Sequence, residues 1–125
     1  MKTERAALRS RAEAFGALLV RIQGMKEADA KKVLVEFIEP SPAQGERIAQ
    51  YYREFSAGSK KFKIASQSVT NISLSPDLMN AEVTYQMQAL VPGGTKLPFE
   101  QVTRWRKVDG KWYRTIGDPK KRLSQ

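Results

Sequence analysis

Ser56-Ala57-Gly58-Ser59-Lys60-Lys61-Phe62-Lys63-Ile64 is where this chain changes rhythm. Before it, apolar residues recur at spacings of three, four and seven; beyond it they recur at every second position. The first spacing keeps side chains on one face of a helix and the second keeps them on one face of a strand. The small residues Ser56 to Ser59 read as the exit from the last helix, so the chain divides into helices and then sheet.

Reading back from that point, Ile48, Tyr51, Tyr52 and Phe55 form the apolar side of a helix over 42–56. Ser41 is placed to cap it, Pro42 occupies its first turn, and Gln44 can complete a capping box. A shorter helix over 27–39 carries Val33, Leu34, Phe37 and Ile38, and Pro40 closes it. A first helix over 4–23 is marked by Leu8, Phe15, Leu18, Leu19 and Ile22, with Gly24 as its stop.

Reading forward, a strand from Lys61 to Leu74 has Phe62, Ile64, Ile72 and Leu74 on one parity but Ala65 and Val69 on the other. That break in phase predicts a bulge or a twist in its middle. After the turn Ser75-Pro76-Asp77, a second strand alternates Ala81, Val83, Tyr85, Met87 and Ala89 against Glu82, Thr84, Gln86 and Gln88. Pro92-Gly93-Gly94 reverses the chain into a third strand, Leu97 to Val108, and Asp109-Gly110 is a two-residue hairpin turn. In that hairpin Val108 faces Lys111, Arg106 faces Tyr113 and Arg104 faces Thr115. Trp105 and Trp112 then share one side of the sheet, and Arg104, Arg106, Lys111 and Tyr113 share the other.

With no helix between strands, a parallel crossover sheet is excluded. The expected architecture is a single α+β domain over 1–125. Its helical part, 1–58, packs on a strongly curved four-stranded antiparallel sheet, 61–117, followed by a basic tail, 118–125.

Composition narrows the chemistry. Among 125 residues there is no cysteine and no histidine, and the formal charge is +9. Disulfides, thiolate chemistry and imidazole acid–base or metal chemistry are thereby removed. The acids Glu27, Asp29, Glu36 and Glu39 read as a charged helix face, so no metal site and no cofactor is expected. Residues 101–125 hold 8 basic against 2 acidic groups, which favours an anionic partner, protein or membrane before nucleic acid. No apolar run is long enough to span a membrane. The compartment is not legible: cytoplasmic is the default, and a trimmed secretion signal stays open.

The closing stretch Phe99-Glu100-Gln101-Val102-Thr103-Arg104-Trp105-Arg106-Lys107-Val108-Asp109-Gly110-Lys111-Trp112-Tyr113-Arg114, after three helices and long meandering strands, resembles the nuclear transport factor 2-like (NTF2-like) superfamily, the SnoaL-like or ketosteroid isomerase-like cone fold. The resemblance implies a cystatin-like cone with a pocket between sheet and helices, and a homodimer through the outer sheet face. It also implies, for the enzymes of that group, an Asp–His pair or an Asp base with Tyr and Asp donors. Here there is no histidine, and the strands hold no aspartate except at the turns Asp77 and Asp109, so no catalytic residue carries over.

The expectation is a non-catalytic binding or assembly domain. Its ligand would be small and apolar or amphipathic, held among Phe15, Tyr51, Tyr52, Phe55, Tyr85, Met87, Phe99, Gln101, Thr103, Trp105 and Trp112. A second surface, Arg104, Arg106, Lys111 and Tyr113, is the candidate for an anionic partner. Two alternatives stay open: an isomerase, dehydratase or hydrolase with an atypical His-free pocket, and a module that works through its basic surface alone.

Overall fold

The computed structural model describes residues 2–59 and 62–116; the expected basic tail, with Lys120, Lys121 and Arg122, lies outside the described residues. Three helices, α1 (Lys2–Ile22), α2 (Glu27–Leu34) and α3 (Gln44–Ser59), precede four strands, β1 (Lys63–Leu74), β2 (Asn80–Leu90), β3 (Lys96–Val108) and β4 (Lys111–Thr115). The strands form an antiparallel meander in the order β1-β2-β3-β4.

The sheet curves because β1 carries two irregularities, between Ile64 and Ser66 and between Val69 and Asn71. Each extra residue resets the alternation and bends the strand. The split parity of the β1 sequence has this cause: Ile64, Gln67, Val69, Ile72 and Leu74 all stand opposite the inward residues Ala89, Met87, Tyr85, Val83 and Ala81 of β2. The inward row continues into β3 as Leu97, Phe99, Gln101, Thr103 and Trp105.

Helix α1 fills the curve. Leu8, Ala12, Phe15, Leu19 and Ile22 step by four and three and are all buried. Its polar residues reach both margins of the sheet. Arg5 donates to the Ile72 carbonyl at 2.6 Å, and the Gln23 amide both donates to the Ile64 carbonyl at 3.1 Å and accepts from its N–H at 2.6 Å. On the opposite margin, Arg11 donates to the Trp112 carbonyl at 3.0 Å. Side chains of one helix thus satisfy backbone groups at both β1 and β4, groups that would otherwise invite another strand.

The Asp109-Gly110 turn has φ of 51° and 79°, both in the left-handed region, and the pairing across it is the one its sequence predicts. Trp105 and Trp112 are both buried on the helix-facing side, where Phe15 meets Trp105 edge-on at 5.7 Å. β4 covers only Arg104 to Val108 of β3. The earlier part of β3 has no strand on that side among the described residues, and Lys96, Pro98 and Glu100 fall there, residue types that discourage added strands.

The helix boundaries differ from the sequence reading, most of all in α2 and α3. α2 ends at Leu34 rather than at 39, and Ile38 forms a parallel bridge with Arg114. The Arg114 N–H donates to the Phe37 carbonyl at 2.6 Å, and the Glu39 N–H donates to the Arg114 carbonyl at 3.0 Å. Ile38 is buried as the stripe required, but by joining the sheet edge rather than by extending the helix. α3 starts at Gln44, not 42, and no capping box forms. The Gln44 amide donates to the Ile38 carbonyl at 3.0 Å, while the Ser41 hydroxyl is buried without a hydrogen-bond partner among the described residues. The exit residues Ser56 to Ser59 are themselves helical.

Candidate functional site

The residues expected to line a pocket separate into two groups. Phe15, Tyr85 and Met87 are 0% exposed, Trp105 and Trp112 1%, and Thr103 2%, so their side chains are packed inside the domain. Their polar atoms are satisfied internally. Tyr85 donates to the Ala12 carbonyl at 2.6 Å; Thr103 donates to the Val83 carbonyl at 3.0 Å and accepts from the Trp105 indole at 2.9 Å. Burial pushes the Tyr85 phenol far above its ordinary range, with Arg114 acting in the opposite sense. These six side chains are core.

Tyr51, Tyr52, Phe55 and Gln101 are half-buried and Phe99 is exposed. Tyr51 stacks on Phe55 with ring centroids 6.2 Å apart, and Tyr52 donates to the Met25 carbonyl at 2.6 Å. This second group forms the margin of the helix-facing side.

That side holds one buried charge. Arg114, on β4, is 8% exposed, with its guanidinium 4.9 Å from the centre of the Tyr51 ring and 5.2 Å from that of Phe15. Nη1 donates to the Tyr51 hydroxyl at 2.6 Å, and Nε is buried without a partner among the described residues. Arg114 forms no ion pair with a carboxylate among the described residues.

On the outer face of the sheet a cleft of about 570 Å³ opens over the row Ser73, Glu82, Arg104 and Thr115, bounded by Ser75, Asn80, Arg106 and Glu39. Register builds it. Glu82 stands directly opposite both Ser73 and Arg104, and Arg104 opposite Thr115. One wall is the turn after β1, in which Asp77 accepts from the Ser75 hydroxyl at 2.5 Å and from the Met79 N–H at 3.0 Å, bonds that hold its carboxyl below the usual range. The other wall is the Arg106–Glu39 ion pair at 2.8 Å. Arg104 and Glu82 are exposed and form no ion pair among the described residues. Such a surface can bind carboxylate or phosphate oxygens through Arg104 and cationic groups through Glu82.

Of the four basic-surface candidates, Arg104 and Arg106 line this cleft; Lys111 and Tyr113 do not. The Tyr113 ring instead has Lys111 5.9 Å and the Arg11 guanidinium 5.5 Å from its centre. Sequence reasoning missed Glu39, Ser73, Ser75, Asn80, Glu82 and Thr115 as cleft residues and Arg114 as a buried cation. The parity of Arg114 with Trp105 and Trp112 was the available signal for the last of these.

No family model matches the chain, and no curated protein matches it. Solved structures share its fold. A SEC-C motif containing protein from Rhodopseudomonas palustris superposes with a TM-score of 0.54 at 20% identity, over 90% of this chain and 75% of the other. An NTF2-like transpeptidase from Campylobacter jejuni gives 0.54 at 13% identity, over 85% and 98%. The intermembrane space region of the chloroplast protein ARC6 gives 0.51 at 12% identity, over 89% and 92%. This is the cone fold. At these identities the likeness concerns the fold, and function has to be argued from the residues. Among the described residues no helix is long and apolar enough to cross a membrane.

Proposed function

We propose that this chain is a non-catalytic binding or assembly domain of the NTF2-like superfamily that takes a polypeptide segment of a partner protein in its outer-face cleft. The observation that carries this reading is Arg104 and Glu82, without an ion pair among the described residues, on neighbouring strands at the floor of a cleft of about 570 Å³, a volume usual for ligand sites. Both charge signs line the cleft, since Glu39 and Glu82 stand beside Arg106 and Arg104. A polyanion such as nucleic acid would meet those carboxylates, whereas a peptide with an acidic and a basic residue finds a complement for each.

A displayed peptide library selected on the wild-type chain, with the R104E/R106E variant as counter-selection, tests this. Enrichment of peptides carrying an acidic residue, lost on the variant, is the expected result. Absence of selection refutes the reading. So does a stable homodimer in sedimentation equilibrium that R104E/R106E dissociates, because the outer face would then be occupied by a second copy.

A further inference from the structure

We infer that the end of the sheet at the turn between β2 and β3 is a docking surface for an anionic lipid membrane. Seven large hydrophobic side chains are exposed among the described residues, and four of them, Phe62, Leu90, Leu97 and Phe99, stand at this end, between 38% and 51% exposed. Helix α1 leaves them bare. It ends at Ile22, and the Gln23 amide bonds the backbone of Ile64 near the start of β1. Leu97 belongs to the same row as Ile64, with the buried Ala89 between them, yet on β3 that row lies beyond the helical cover.

The charges at this end have one sign. Lys63, Leu90 and Lys96 form the adjoining row across β1, β2 and β3, so an exposed lysine flanks Leu90 on each side. Neither lysine forms an ion pair among the described residues, and neither Lys63-Ile64 nor the stretch from Ala89 to Phe99 contains an aspartate or glutamate. Apolar side chains edged by such cations match a lipid interface: hydrocarbon takes the apolar groups, anionic headgroups take the ammonium groups, and the lysine stems keep the charge at headgroup level. A protein partner is disfavoured, because the cores of protein interfaces are depleted of lysine. The turn is closed by the Val91 N–H on the Thr95 carbonyl at 3.0 Å and the Gly94 N–H on the Val91 carbonyl at 3.1 Å. Its Pro92, Gly93 and Gly94 carry no long side chain that would stand between the tip and the lipid.

This surface is separate from the outer cleft, and the inference does not depend on the reading of that cleft. From Lys96 to Arg104, β3 advances about 26 Å at the usual strand rise. A chain seated on its tip therefore holds Arg104 and Glu82 clear of the membrane.

The test is flotation of the full chain with phosphatidylcholine vesicles, with and without about 30% phosphatidylserine, in about 0.1 M salt. Wild type is expected to float with the phosphatidylserine vesicles and to bind phosphatidylcholine alone about tenfold less or weaker. K63E/K96E should weaken binding by about 25-fold or more, about fivefold for each lysine lost. L97S/F99S should weaken it by about tenfold or more. R104E/R106E, which changes the net charge equally, should retain most of the binding, and melting temperatures check that each variant is folded. Because the chain has no cysteine, L97C or V102C carries a single acrylodan probe; a blue shift on the phosphatidylserine vesicles is expected at Leu97 and not at Val102. Failure of wild type to float with those vesicles would overturn the inference. Equal loss in K63E/K96E and R104E/R106E would also overturn it, by making the association one of net charge, as would full binding by L97S/F99S with no shift of the L97C probe.

Discussion

Replacing Gly16 with alanine tests how closely α1 is seated in the sheet. In an exposed helix the change would add about 1 kcal/mol of stability, because alanine orders at lower entropic cost. At Gly16 the new methyl group would overlap the Gln67 amide, standing 2.6 Å from its Cδ, and would lie 3.0 Å from a ring carbon of Tyr85. Tyr85 is fully buried and bonded to Ala12, so it can yield only slightly; Gln67 must leave its place. Overpacking of this kind costs about 1–3 kcal/mol, which exceeds the helical gain. G16A is therefore expected to lose about 1 kcal/mol, or about 4 °C in melting temperature for a domain of this size. In a Q67A background the overlap with the amide is gone, and the same substitution should become neutral or stabilising, a coupling of about 1–2 kcal/mol. Urea unfolding followed by the fluorescence of the buried Trp105 and Trp112 measures all four variants. A single G16A variant more stable than wild type would refute the close seating of helix on sheet.

Three further outcomes follow from individual contacts. Glu4 accepts from Lys107 at 2.8 Å and from the Trp112 indole at 3.1 Å; the Lys107 bond chiefly holds its carboxyl below the ordinary value. A depressed carboxylate contributes stability above its unfolded pKa and loses it as pH falls through the folded one. The stability gap between wild type and E4Q should therefore narrow as pH falls below about 5, as read from urea midpoints across an acid titration. T103V should cost about 1–3 kcal/mol by leaving the buried Trp105 indole N–H unpaired, whereas T103S should restore most of the loss in the same unfolding assay. At the hairpin turn, where φ is 79°, G110A should cost about 1–2 kcal/mol and G110N less, with an unchanged denaturant slope.

The sheet was the more legible half of the sequence. Alternation from Ala81 to Ala89 and the Asp109-Gly110 turn are local signals that the tertiary structure does not oppose. Even the mixed parity of β1 pointed to irregularity, although not to two bulges. The helix ends were harder to read. Val33, Leu34, Phe37 and Ile38 are compatible with a continuing helix, and it is the hydrogen bonds of Phe37 and Glu39 with Arg114, seventy-odd residues away, that draw the segment out of it. Ser41, Pro42 and Gln44 match a cap pattern, but Gln44 turns back to Ile38. The outer cleft was half visible: the hairpin alternation placed Arg104 and Arg106 together, while Ser73 and Glu39 depend on bulges and on that same rerouted segment.

The reach of α1 to both margins of the sheet bears on how the chain emerges from the ribosome. The helix is translated first, with its apolar stripe ready, yet the strand carbonyls that Arg5, Arg11 and Gln23 will occupy are made 41 to 101 residues later. Until then the nascent helix has nothing to wrap. Full seating of α1 must wait for β4 to clear the exit tunnel, since the Trp112 carbonyl that Arg11 occupies is made 101 residues later.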